Sequence, residues 1–206
     1  MIIVKILENI GGLLYKQGGT ALLLAVLFMF AWMYARENGW NGREAVRRSV
    51  SAWVARFRVS CEFRRVFLLA VYVSMMLLRT VLMREFYVHP LAKFMGGWGL
   101  YDEYGGMTAE SIENIMLFVP FAFLLMWVRR GGSANGDVQE RAFRGDAMYV
   151  LEVCAGYSFG IECVQLLLHS GTFQVSDLCY NTVGGAVGIL FYFIIHVIYR
   201  SVKRKD

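Results

Sequence analysis

Apolar residues in this chain gather into five long stretches instead of recurring at the period of one soluble helix face. The stretches run from about Gly19 to Ala35, Val66 to Met83, Ile112 to Val128, Ala147 to Leu168 and Leu178 to Tyr199. Each is about 17 residues or longer, enough to cross a hydrocarbon layer of roughly 30 Å as a helix. The pattern predicts an all-α, polytopic membrane bundle of about five transmembrane helices. Two stretches carry ionisable groups: Arg79 interrupts the second, and Glu162 sits in the fourth beside Gln165.

The polar connections set the expected orientation, because positive residues are retained on the cytoplasmic side. Eight Lys and Arg fall between Arg36 and Arg65, four between Arg129 and Asp146, and four after Tyr199. The segment from Arg84 to Ser111 has two, and His169 to Asp177 has none. Alternate connections therefore face the cytoplasm, with the N-terminus outside and the C-terminus inside. A single membrane domain over 1–206 is expected. It comprises an N-terminal span and a basic amphipathic loop (1–65), a four-helix core (66–199) and a basic tail (200–206).

Two segments are amphipathic. Lys5 and Lys16 flank Ile3, Ile6, Leu7 and Ile10, a pattern that fits a surface-lying helix. In the first basic loop Val46, Val50, Trp53, Val54 and Phe57 form one helical stripe among arginines. That stripe fits a helix lying on anionic headgroups, and equally a topogenic loop with incidental amphipathicity. The first span is expected to be retained, because Arg36 follows where a small-residue cleavage site would stand.

Composition agrees with a membrane solvent: 57% of the 206 residues are hydrophobic and 18% charged, with a mean hydropathy of +0.47. The net charge of +5 is accounted for by topology, so no nucleic-acid partner is expected, whereas membrane lipids are. Cys61, Cys154, Cys163 and Cys179 form no CxxC pair and have no His at zinc-site spacing. Neither a metal nor a cofactor is expected.

The candidate chemistry is a polar stripe inside the membrane, where ionisable groups are costly. Ser158, Glu162, Gln165 and His169 follow at i, i+4, i+7 and i+11 on one face of the fourth span, and Glu162 lies roughly 9 Å from its outer end. Asp177 and Asn181 open the fifth span, with Gly184 and Gly188 continuing that face. Gly156 and Gly160 give the fourth span its own small pair, spacing that lets helix backbones approach. Arg79 and Arg84 on the second span and Asn114 on the third reach the same depth, and a Glu162 to Arg79 ion pair would lower the burial cost of both. Two readings stay open: a hydrogen-bonded joint between helices, or a pocket opening outward.

These residues carry a resemblance. The run from Asn114 through Phe118, Pro120 and Phe121, the Ile161-Glu162-Cys163-Val164-Gln165 segment, and Asp177 ahead of Asn181-Thr182-Val183-Gly184 together resemble the VanZ-like membrane proteins. The match extends from about Met76 to Tyr192. The chain departs from the family pattern at His169-Ser170 and Ser176-Asp177, where many relatives carry an Arg and paired acids. The resemblance implies binding positions at Asn114, Glu162, Gln165, Asp177 and Asn181, with His169, Arg79 and Arg84 added by position. It further implies a multi-pass protein of the bacterial plasma membrane that lowers susceptibility to teicoplanin-type glycopeptides. Its ligand would be the drug or a lipid-linked wall precursor. Tyr87, Trp98, Tyr101 and Tyr104 in the outer loop fit stacking or interfacial anchoring. The alternatives are a membrane enzyme with Glu162 as acid or base, although no nucleophile or metal motif accompanies it, and a small transporter or accessory subunit.

Overall fold

The computed structural model describes residues 2–38, 42–82, 88–89, 91–92, 94–99, 110–131 and 140–203. Helix α1 covers Ile2–Asn38, α2 Gly42–Val59 and α3 Cys61–Leu77, which a π-helical segment, Leu78–Leu82, extends. Helices α4 (Glu110–Arg130), α5 (Glu140–Leu168) and α6 (Val175–Lys203) complete the bundle. Among the described residues there is no strand. The N-terminal amphipathic segment is helical and continuous with the first span; the side chains of Ile3, Lys5, Ile6, Leu7 and Ile10 lie outside the described residues, as do Arg84, Tyr87, Tyr101 and Tyr104.

Among the described residues four helices are long and apolar enough to cross a membrane: Lys16–Ala35 within α1, Glu110–Arg130, Phe143–Leu168 and Val175–Val202. Their outer faces expose large apolar side chains, among them Leu23, Phe28, Leu190, Ile195 and Ile198. A folded soluble chain would bury such a surface, so lipid is its solvent. Helix α3 has only 17 residues before the backbone widens into the π segment, and it packs between α1 and α4.

Helix α4 is the hub, touching α3, α5 and α6. A Cβ added at Gly184 would collide with the Ile115 carbonyl, and one at Gly188 with the Val119 carbonyl, so these glycines let α6 and α4 meet backbone to backbone. Gly185 faces Cys154 on α5 instead. The small pair Gly156 and Gly160 meets open space, which corrects the expectation that glycines on both of the last two spans drive their pairing. Pro120 leaves the Met116 carbonyl without its helical donor; one residue on, the Leu117 carbonyl accepts the Tyr72 hydroxyl at 2.8 Å. The main core lies around α4, with Met76, Phe118, Phe121, Met126, Cys154 and Tyr192 buried together.

Ser60 is the one residue between α2 and α3. It is extended, and its hydroxyl accepts the Phe63 amide at 3.1 Å, capping α3. The α2 stripe is split by this arrangement. Trp53 stacks on Phe57 at 5.3 Å and meets Phe63 and Phe67 edge-on, while Val46, Val50 and Val54 remain exposed. Two of the five stripe residues therefore pack against the protein core, because an apolar face is satisfied by a neighbouring helix as well as by lipid.

Candidate functional site

The bundle has two chemically different ends. One collects the C-termini of α1, α4 and α6 and the N-termini of α3 and α5. There Arg129 and Arg130 share Asp146, the second at 2.8 Å, and the Arg65 guanidinium lies 5.4 Å from the Trp127 ring centroid. The other end, at the start of α4 and α6 and the close of α5, holds the polar residues singled out in the sequence.

At that polar end Glu162 is 3% exposed, and its Oε2 accepts the backbone amide of Gln174 at 2.8 Å. Gln174 is the last residue before α6, so the carboxylate holds the α5–α6 connection in place. The next amide, Val175, donates to the Phe94 carbonyl at 3.0 Å, and Phe94 stacks on Phe173 at 5.4 Å. Gly96, at φ 75°, presses so closely on Ser176 that any Cβ would strike its hydroxyl. The Gly99 amide donates to the Tyr180 hydroxyl at 2.7 Å, and the Gly99 carbonyl accepts from the Ser111 hydroxyl at 2.9 Å. Residues 94–99 thus lie across the start of α6.

The π segment supplies the opposite wall. Its Arg79 pairs with Glu113 on α4 at 2.7 Å; this replaces the ion pair expected between Arg79 and Glu162. The Thr80 carbonyl accepts Gln165 Nε2 at 2.6 Å, while the Thr80 hydroxyl donates back to Met76 at 2.7 Å. A π turn rotates the residues that follow it and lowers the regularity of the ladder, which brings Arg79 to α4 and the Thr80 carbonyl to α5. Sequence reasoning missed Glu113 and Thr80. The available signal was Glu113 itself, an acid in the first turn of the helix that carries Asn114, at the depth of Arg79.

His169 has a backbone role. At φ 53° it ends α5 in the left-handed region: its amide reaches the Leu166 carbonyl at 3.4 Å and the Ser170 amide reaches Gln165 at 3.0 Å. That pair of bonds is the Schellman stop, with His where glycine is usual. Asp177 is buried in the first turn of α6, where a carboxylate faces the positive end of the helix dipole.

Asn181 Nδ2 donates to the Ser158 hydroxyl at 2.8 Å, joining α6 to α5. Among the described residues, Asn181 Oδ1, Asn114 Nδ2 and the hydroxyls of Ser170 and Ser176 are buried without a hydrogen-bond partner. No group of three His, Cys, Asp or Glu among those residues is placed to hold a metal. Trp98 is half-exposed and tilted against Tyr180 at 6.1 Å. The polar end is therefore a set of paired contacts surrounding a few unpaired buried polar atoms.

The model of the VanZ/LLP1 family matches residues 19–196, which include all the described residues of this polar end. The chain belongs to the VanZ/LLP1 family. A curated relative, Protein VanZ of Enterococcus faecium, is 30% identical over 87 residues, 42% of this chain. The match spans about half, 46%, of that relative's length. No solved structure matches the chain. As a VanZ/LLP1 protein with four helices fit to cross a bilayer, it is a multi-pass membrane protein.

Proposed function

We propose that this VanZ/LLP1 protein sits in the bacterial plasma membrane with five spans, its N-terminus outside and its basic end in the cytoplasm. The polar end then faces outward and lowers susceptibility to teicoplanin-type glycopeptides by engaging the drug or a lipid-linked wall component. The observation that carries the reading is the group of buried, unpartnered polar atoms there: Asn114 Nδ2, Asn181 Oδ1, and the Ser170 and Ser176 hydroxyls. Buried polar groups are nearly always hydrogen-bonded, and a donor, an acceptor and two hydroxyls at one end offer complementary contacts to an amide or sugar. Family membership and the relative named Protein VanZ supply the process.

Glu162 acts here as a positioning residue, holding the Gln174 amide and with it the α5–α6 connection. Its engagement with that amide favours recognition over acid or base catalysis. Expression in a susceptible Gram-positive host tests the function: teicoplanin tolerance rises while vancomycin tolerance is unchanged. An unaltered teicoplanin response with the protein present in the membrane contradicts it. Topology is read separately with an impermeant maleimide. With Cys163 and Cys179, the second of which is exposed at the polar end, replaced by Ser, Cys61, exposed at the basic end, is labelled only after permeabilisation, and a Val88→Cys version of that protein is labelled in intact cells.

A further inference from the structure

A cleft of ≈ 600 Å³ lies at the basic end, remote from the polar residues, between α1, α2 and α3. Phe28, Met29 and Trp32 of α1 and Phe63 and Val66 of α3 form its apolar walls, and Arg56, Ser60 and Glu62 close one end. Its size falls within the range of about 300–1,000 Å³ for small-molecule sites. Phe28 and Trp32 are exposed, so the cleft opens sideways between helices whose solvent is lipid.

We propose that this cleft holds an acyl chain of an anionic phospholipid, with its phosphate at the Arg56 and Ser60 end. The apolar walls alone select nothing, because lipid tails are as apolar as leucine; the choice of lipid is made at the polar end. There charge is predominantly positive. Arg56 and Glu62 are the charged residues of the lining, and the surrounding segment 42–65 carries seven arginines against Glu44 and Glu62; of these Arg64 bridges the α2–α3 joint, donating to the Arg58 carbonyl at 3.2 Å and to Cys61 Sγ at 3.0 Å. A guanidinium and a hydroxyl offer a phosphate charge-assisted hydrogen bonds, and basic residues at this depth favour anionic headgroups. Trp32 beside them is the aromatic expected at the headgroup boundary. The inference does not depend on what the opposite end recognises.

The test reconstitutes the full chain in nanodiscs of equal phosphatidylglycerol and phosphatidylcholine, extracts it in mild detergent and counts retained lipids by native mass spectrometry. The wild-type protein keeps about one phosphatidylglycerol per chain, and Arg56→Gln lowers its preference over phosphatidylcholine about fivefold. Arg47→Gln removes the same charge from α2 away from the cleft and leaves the preference unchanged. Val66→Trp fills the cleft and abolishes retention with Arg56 in place. Equal retention of both lipids by the wild type, or equal losses in the two arginine variants, overturns the proposal whatever the fate of the Val66 variant.

Discussion

The two ends of this bundle differ in the chemistry of their buried polar groups: an arginine cluster closes one, and neutral amides and hydroxyls gather at the other. At the basic end most charge is paired: Asp146 is shared by Arg129 and Arg130, and arginines lie over Trp127, Tyr149 and Phe143, while Arg130 Nε, Trp53 Nε1 and His196 Nε2 are buried without a hydrogen-bond partner among the described residues. At the polar end, the Arg79–Glu113 ion pair, the Glu162 carboxylate on the Gln174 amide and several neutral hydrogen bonds surround Asn114 Nδ2, Asn181 Oδ1 and the Ser170 and Ser176 hydroxyls, which have no partner among the described residues. Satisfied groups stabilise, whereas unsatisfied ones cost stability and persist where something outside the fold completes them. Under the function proposed above, the neutral donors and acceptors of the polar end are the ones a ligand would complete, and the arginine cluster anchors the fold.

The largest expected effect comes from the seam between them. Gly184→Val drives a side chain into the Ile115 carbonyl and costs about 3 kcal/mol, the upper part of the overpacking range, seen as a lost or much lowered melting midpoint in detergent. Gly160→Ala, which meets open space, leaves that midpoint unchanged. Next is the anchor itself. Asp146→Ala strands Arg130, which is 7% exposed, and destabilises by about 3 kcal/mol; denaturant titration measures it, and a loss under 1 kcal/mol by the same scale would make the basic end no anchor.

Glu162→Gln retains shape but weakens a hydrogen bond from a backbone amide to a charged acceptor, with an expected cost of about 1–2 kcal/mol. Hydrogen exchange should show the Gln174 amide opening faster while α4 is unaffected. The smallest effect separates backbone from side chain at His169. His169→Val, β-branched at a left-handed position, costs about 1–2 kcal/mol, and His169→Gly does not. Equal losses in the two variants would move the role of His169 from its backbone to its imidazole.

Much of this was legible in the chain itself. The apolar runs mark the helices, the arginine clusters mark one end, and the face shared by Ser158, Glu162 and Gln165 is a true face, since all three are buried. Partners were not legible, because periodicity states which side of a helix is polar and never which neighbour meets it. Gly184 and Gly188 meet α4 and not α5. Arg79 meets Glu113, by way of a π turn that Leu78-Arg79-Thr80-Val81-Leu82 does not announce. Trp53 and Phe57 meet α3 because an apolar stripe reads the same whether lipid or protein covers it.

The division of labour between the ends is tested most directly at Asn114, whose Nδ2 is buried without a partner among the described residues. An Asn114→Leu protein should reach wild-type membrane abundance and melt at or slightly above the wild-type midpoint, yet lose teicoplanin protection in the same host. Protection that survives in that variant, or that falls only in step with a lowered midpoint, would contradict recognition at the polar end.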